Sequence, residues 1–121
     1  NSSAGRPNDL NVTFHVGEDF FDIADGLRSI EEAIIFLNLG NGDRLGHCLA
    51  LGTDVRKYYS SRYHTICATK QVLLDNMAWL HHKCTKSSGY TSLALYLENI
   101  FHQYFLLFLI LSGVLISTIS V

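Results

Sequence analysis

Residues 10–18 read Leu-Asn-Val-Thr-Phe-His-Val-Gly-Glu, and this stretch carries the strongest prediction about the fold. Apolar side chains stand at alternate positions of residues 10–14, which is the period of a β-strand. His15 and Glu18 follow directly, with Gly17 between them to permit a tight turn. In parallel α/β proteins, functional side chains collect at the carboxyl ends of the strands. The stretch therefore predicts a strand that brings an imidazole and a carboxylate to such an edge.

A helix and a second strand are predicted next. Asp25 and Ser29 are both candidate N-caps, and glycines at positions 40 and 42 end the helix. A short strand through residues 44–45 then completes a strand–helix–strand unit, the unit of a parallel sheet. The apolar face of the helix recurs at three- and four-residue steps, and it consists of Leu27, Ile30, Ala33, Ile34 and Leu37.

The chain has 121 residues, which suffices for one modest domain but not for a complete eight-stranded α/β barrel of roughly 200 residues or more. Its formal net charge is -2 and no stripe of Lys and Arg stands out, so no nucleic-acid patch is predicted. Cys48, Cys67 and Cys84 are odd in number and form no C-x-x-C pair. This argues against a disulfide framework and a cysteine-based zinc site, and it predicts reduced thiols in a cytoplasmic protein.

The second half of the chain is predicted to be mostly helical. Helices are expected over residues 71–84 and 92–101, with a break at residues 86–89. The first nine residues are polar and are expected to form a flexible lead-in. Residues 104–121 lack charged side chains and are largely apolar, which predicts either a buried helix or a membrane span.

The residue types at positions 15, 18 and 47 suit metal-dependent hydrolysis. Neutral imidazole is a good zinc ligand, and zinc lowers the pKa of a bound water to about 7. A carboxylic acid beside the metal can protonate a purine ring nitrogen as hydroxide attacks the neighbouring carbon. His15 would then hold the metal and Glu18 would supply the proton. His47 would either orient the hydroxide or, as an ordinary strand-end residue, bond to a loop carbonyl.

Three segments together resemble the adenosine/AMP deaminase family: His15-Val16-Gly17-Glu18, Ser29-Ile30-Glu31-Glu32-Ala33-Ile34 and Asp43-Arg44-Leu45-Gly46-His47. That family has a (β/α)₈ barrel with one zinc ion and deaminates adenine groups by hydrolysis. The matching order is strand 5, helix and strand 6. The resemblance implies that His15 is a zinc ligand, Glu18 the proton donor and His47 the histidine that orients the hydroxide.

A longer stretch, from about residue 12 to residue 101, is similar to the deaminase subunits of bacterial anti-phage adenosine-deamination systems. In these subunits a helical insertion lies between strands 6 and 7. The resemblance implies an α/β fold, as a fragment of a (β/α)₈ TIM barrel with a mostly helical C-terminal half. Residues 10–52 would be the strand–helix–strand part, residues 53–103 the helical insertion, and residues 104–121 the apolar tail.

The sequence also departs from the family. The His-x-His pair of strand 1 and the Asp-Asp pair of strand 8 have no counterpart, so only His15 matches a zinc ligand. Catalytic zinc normally has three protein ligands. We therefore expect the chain alone to be inactive and to bind zinc weakly or not at all. The full-length relatives would act on an adenine nucleoside or nucleotide.

The missing strands also predict which partners the chain would bind. A half-barrel leaves strand edges unpaired, which predicts pairing with the missing barrel half or self-association. The alternative function is that of a non-enzymatic, truncated derivative that acts as an interaction or assembly module. In that alternative the chain could be anchored in a membrane through residues 104–121.

Overall fold

The computed structural model describes residues 10–111 and 116–120, and the predicted lead-in at residues 1–9 lies outside this part. The chain is α/β, as the sequence predicts. In chain order the elements are β1 (Thr13–Val16), α1 (Ile23–Phe36), β2 (Arg44–His47), α2 (Leu49–Gly52), α3 (Val55–Ser61), β3 (Thr65–Thr69), α4 (Lys70–Lys86), α5 (Thr91–Leu111) and β4 (Ile116–Ser120).

Strands β1 and β2 pair in parallel, which confirms the predicted strand–helix–strand unit. The first strand begins at Thr13 rather than at residue 10, so His15 lies inside β1 and not after it. Asp43 explains the shift, because its carboxylate accepts a hydrogen bond from the backbone N–H of Val12 at 2.7 Å. The Asp43 side chain thus supplies the hydrogen-bond acceptor that the Val12 N–H would otherwise need from a neighbouring strand.

Helix α1 begins earlier than the sequence predicts because Asp22 is its N-cap. The Asp22 carboxylate accepts a hydrogen bond from the N–H of Ala24 at 3.1 Å. The two predicted caps, Asp25 and Ser29, lie inside the helix instead. A cap residue needs extended backbone, and Asp22 has it, with φ of -147° and ψ of 158°.

The apolar face of α1 is only partly covered. Ile30 and Ala33 are buried as predicted, and Ala50 of α2 is buried in the same half of the chain. Ile34 and Leu37, which belong to the predicted face, remain 42 % and 39 % exposed. The end of α1 therefore presents apolar surface to solvent.

The two long helices predicted in the second half are confirmed, and both are longer than predicted. They pack against each other as a hairpin around the largest core cluster, in which Leu73, Leu74 and Met77 of α4 meet Leu97 of α5. Residues with three- and four-residue spacing make this contact, which is the spacing of one helical face.

One strand interrupts the region predicted as a helical insertion, residues 53–103. Strand β3 pairs in antiparallel fashion with β4, and its register joins Thr65 to Ser120. Three of the five residues of β3 are β-branched, namely Thr65, Ile66 and Thr69. Such side chains favour strands. Because helix α4 follows directly, this segment could also have formed the first turn of that helix, and its pairing with β4 makes it a strand instead.

The apolar tail predicted at residues 104–121 is not one helix. Its first part continues α5 to Leu111, and residues 116–120 form β4. Residues 112–115 and 121 lie outside the described part of the chain. Among the residues that the structure describes, no helix combines the length and the apolar character needed to cross a bilayer.

Polar side chains connect α1 to α4. The Glu31 carboxylate accepts a hydrogen bond from the indole N–H of Trp79 at 2.6 Å and pairs with Lys83. These two contacts hold the pKa of Glu31 below its ordinary value. One turn away, the guanidinium of Arg28 donates to the buried amide oxygen of Asn76 at 3.0 Å. The two halves of the chain are therefore joined by directional contacts as well as by apolar burial.

We expect Glu31→Gln to lower the free energy of unfolding at neutral pH, by up to about 1 kcal/mol because the pair is partly exposed. The loss should fade as the pH falls below the ordinary glutamate pKa of about 4.3 and through the lower pKa of folded Glu31. Below that range the wild-type carboxylate is protonated and has lost its charged contacts.

Urea unfolding of the wild type and the variant at several pH values measures this difference. Glu98→Gln on the exposed side of α5 is the matched control, for which we expect no change. A Glu31→Gln difference that persists unchanged to the most acidic pH at which the chain folds would contradict the electrostatic explanation.

Candidate metal centre

His15 and His47 meet at the carboxyl ends of β1 and β2. Side chains alternate along a strand, and the register pairs His15 with Gly46 and His47 with Val16. Regular strands would therefore place the two imidazoles on opposite faces of the sheet. The structure avoids this at His47, where the backbone φ of 63° is left-handed. The two ring centroids lie 4.8 Å apart, with an angle of 81° between the ring planes.

Backbone hydrogen bonds hold this strand end in place. The N–H of Cys48, which is also left-handed with φ of 49°, donates to the carbonyl of Val16 at 3.0 Å. The N–H of Ala50 donates to the carbonyl of Gly17 at 3.1 Å. The start of the short helix α2 is thus hydrogen-bonded to the end of β1.

Two glycines leave the space that the site needs. A Cβ at Gly46 would lie 2.9 Å from Nε2 of His15, which is too close for an unmoved imidazole. Gly17 has φ of +73°, a conformation that glycine adopts without strain. A Cβ there would lie 2.5 Å from Cδ1 of Ile30. Gly17 therefore permits both the turn after β1 and the close packing of α1 beneath it.

Glu18 completes the cluster. Its Oε2 lies 3.1 Å from Nε2 of His47. One ligand atom from each of His15, Glu18 and His47 lies within 4.8 Å of the other two. The Glu18 and His47 side chains are 35 % and 42 % exposed, so ions and small molecules can reach them. The three predicted site residues are thus brought together, and three candidate ligands converge where the family resemblance implies only His15.

The loop after Glu18 is held by two tyrosines of α3, to which the sequence analysis assigns no role. The hydroxyl of Tyr59 donates to the Asp22 carboxylate at 3.0 Å, and that of Tyr58 donates to the carbonyl of Phe21 at 3.3 Å. Burial and the neighbouring Asp22 carboxylate raise the pKa of Tyr59, which keeps this hydroxyl a donor. No local pattern reveals these contacts, because their partners lie 37 residues apart.

An open cavity of about 280 Å³ lies along the same loop, where Asp19, Phe20 and Phe21 line it. The Phe20 ring also approaches Tyr58, with 6.3 Å between ring centroids. Aromatic side chains offer flat surfaces on which a planar ring can stack. The residues that line the cavity follow Glu18 directly in the chain.

The other histidines of the described part, His64, His81, His82 and His102, do not belong to this cluster. Asp43 lies in the same segment as His47, but its carboxylate accepts hydrogen bonds from the N–H groups of Val12 and Gly40. It therefore organises the strands and takes no place among the candidate ligands.

Compared with known proteins, the chain matches no family model, and no curated protein matches it significantly. Inference about function therefore rests on the residues and their geometry.

We expect Gly46→Ala to displace the His15 ring while leaving the fold intact, because the new methyl group meets the imidazole. Gly52→Ala is the matched control, since a Cβ at Gly52 meets nothing within 4 Å. Nuclear Overhauser contacts between the His15 and His47 rings should disappear in the first variant and persist in the second. If these contacts persist in both variants, the position of the His15 ring does not depend on the space above Gly46.

Proposed function

We propose that the chain carries part of a metal-dependent hydrolytic centre of the adenosine/AMP deaminase type, within a fragment of a (β/α)₈ barrel. The observation that supports this most is the convergence of His15, Glu18 and His47 at the carboxyl ends of two parallel strands. The strands follow one another through a single helix, which is the strand 5, helix, strand 6 order of the resemblance. A centre of this kind draws its residues from consecutive strand ends.

The donor atoms present suit a metal ion, because imidazole nitrogen and carboxylate oxygen are both common zinc ligands. When bound, a zinc ion would supply a water activated at neutral pH. His15 is the ligand in this proposal. Glu18 holds a proton and donates it to the purine ring nitrogen next to the carbon under attack. His47, with Nε2 3.1 Å from the Glu18 carboxylate, orients the attacking water.

The substrate proposed for such a centre is an adenine nucleoside or nucleotide. The cavity beside Phe20 and Phe21 supports this choice, since it offers aromatic faces next to the proton donor in the chain. Stacking on these rings would hold the flat base.

A complete deaminase centre needs ligands that the resemblance does not find in this sequence, namely a His-x-His strand and an Asp-Asp strand. The proposal therefore requires further barrel strands that carry these ligands, supplied by additional sequence of the same polypeptide or by a partner. Within the described residues, β1 and β2 form a sheet of two strands with no further neighbour. Its open edges are where additional parallel strands would pair.

The test is co-expression of this chain with the reading frames that flank its coding sequence, followed by assay of the purified assembly for conversion of adenosine and AMP to their hypoxanthine products. We expect turnover by the assembly and none by the chain alone. Glu18→Gln should lower the rate by at least about a hundredfold, because it removes the proton donor.

Glu98→Gln, the same substitution at an exposed glutamate of α5 away from the site, is the control and should retain most of the rate. An assembly that forms no product, or a Glu18→Gln assembly that is fully active, would overturn the deaminase proposal.

A second candidate function is that of an interaction or assembly module. Ile35 and Phe36 at the end of α1 are 62 % and 78 % exposed, and they extend the apolar surface formed by Ile34 and Leu37. Contiguous exposed apolar surface marks contact sites for other proteins. Together with the open edges of the β1–β2 sheet, this surface favours self-association of the chain.

Phe36→Ser should then shift the chain towards monomer, because it removes the most exposed aromatic group of this surface. Leu95→Ser on α5 is the control, since Leu95 is also exposed, at 57 %, but lies on another helix. Light scattering over a concentration series measures the change. A wild type that is monomeric at every concentration would exclude self-association.

A further inference from the structure

We propose that the chain by itself binds one divalent transition-metal ion through three ligands: Nε2 or Nδ1 of His15, a carboxylate oxygen of Glu18 and an imidazole nitrogen of His47. This goes beyond the proposed function, in which only His15 binds the metal while Glu18 and His47 act on substrate and water. It also differs from the sequence-based expectation that zinc binds weakly or not at all. The inference stands on the geometry of the three side chains alone.

The separations fit a shared ion. Zinc lies about 2.0–2.2 Å from nitrogen and oxygen ligands, so two ligands at a tetrahedral angle are about 3.3–3.6 Å apart. The 3.1 Å between Nε2 of His47 and Oε2 of Glu18 is close to this spacing. The ligand atoms all lie within 4.8 Å of one another, so rotation of the partly exposed side chains need shorten a separation by at most ~1.5 Å.

The backbone restricts where the three donors can go. His15 stands inside β1 over Gly46, so its Cβ position is fixed by the strand ladder. His47 ends β2, where the hydrogen bonds of the following residue hold the left-handed turn. Glu18 follows the buried Gly17, which is packed against Ile30. Because these positions are set before any ion arrives, binding orders only the outer torsions of three side chains.

The donor set selects the class of ion. Two imidazoles and one carboxylate suit Zn²⁺, Fe²⁺ or Co²⁺, whereas Ca²⁺ and Mg²⁺ prefer sites made of oxygen. The Glu18 and His47 side chains are partly exposed, so positions remain for water or an added small ligand. Two histidines with one carboxylate is also a ligand set that zinc enzymes use.

Coordination by Glu18 has a functional consequence. A carboxylate that binds the ion is not free to hold a proton for a substrate, so the loaded chain is a metal-binding state rather than a catalytic one. Use of Glu18 as a proton donor then requires other ligands to replace it on the ion. In that case the chain alone would bind metal without deaminating a substrate until the remaining ligands are supplied.

The test uses the complete chain, freed of metal by a chelator and titrated with Co²⁺ and with Zn²⁺. Visible absorption of bound Co²⁺ reports the type and number of ligands, and competition with a coloured chelator gives the Zn²⁺ affinity. We expect one ion per chain. His15→Ala, Glu18→Gln and His47→Ala should each lower the Zn²⁺ affinity by at least about tenfold, because even loss of a group that only supports a ligand costs that much.

Asp19→Asn and His102→Ala are the matched controls, a neighbouring carboxylate and an exposed histidine outside the cluster, and they should bind as the wild type does. Circular dichroism of every variant confirms that the helices remain. Tight binding of Ca²⁺ in preference to Zn²⁺, or the absence of a stoichiometric Zn²⁺ complex, would overturn the three-ligand site.

The outcomes separate this inference from the deaminase proposal. If Glu18→Gln and His47→Ala bind Zn²⁺ as the wild type does and only His15→Ala fails, the three-ligand site is wrong and the deaminase roles stand. If all three variants lose affinity while the co-expressed assembly forms no product, the metal site stands and the deaminase proposal fails.

Discussion

The parallel hydrogen-bonding ladder between β1 and β2 is the interaction on which the candidate site depends. It sets His15 beside Gly46, whose missing side chain leaves room for the imidazole. It also ends both strands at the same level, so the turn at Gly17 can bring Glu18 to His47. A parallel pair needs a crossover, and α1 supplies it while packing Ile30 under Gly17. Strand pairing and helix packing therefore together set the geometry of the site.

The second half of the chain supports this unit from two directions. The α4–α5 hairpin has its own apolar core, and α4 reaches α1 through the contacts of Glu31 and Arg28. From the other side, α3 holds the loop after the site through Tyr58 and Tyr59. The apolar core supplies most of the burial, while the hydrogen bonds fix the relative placement of the elements.

The deaminase proposal and the three-ligand proposal place different demands on Glu18. As a proton donor it must stay off the metal and face a substrate, which leaves the ion to His15 and to residues of a partner. As a ligand it completes a three-residue set with His15 and His47. The choice depends on how many other ligands are available. If both proposals hold, the same three residues bind an ion in the chain alone and serve catalysis once further ligands are supplied.

The sequence by itself determined the local elements of this protein. Alternation at residues 10–14, helical spacing in α1, α4 and α5, and the break after α4 all predict structure from neighbours in the chain, and each element is present. The sequence also singles out His15, Glu18 and His47, because their residue types and spacing suit metal chemistry.

Tertiary structure decided the rest. The strand in β3 depends on pairing with β4, the cap of α1 depends on the backbone angles of Asp22, and the support from Tyr59 spans 37 residues. The alternation rule would even place the two histidines on opposite faces. Only the left-handed backbone at His47, held by hydrogen bonds between the strand ends, turns that imidazole towards His15. Spacing along the sequence identifies the elements and the candidate site residues, whereas contacts between distant segments fix where the side chains meet.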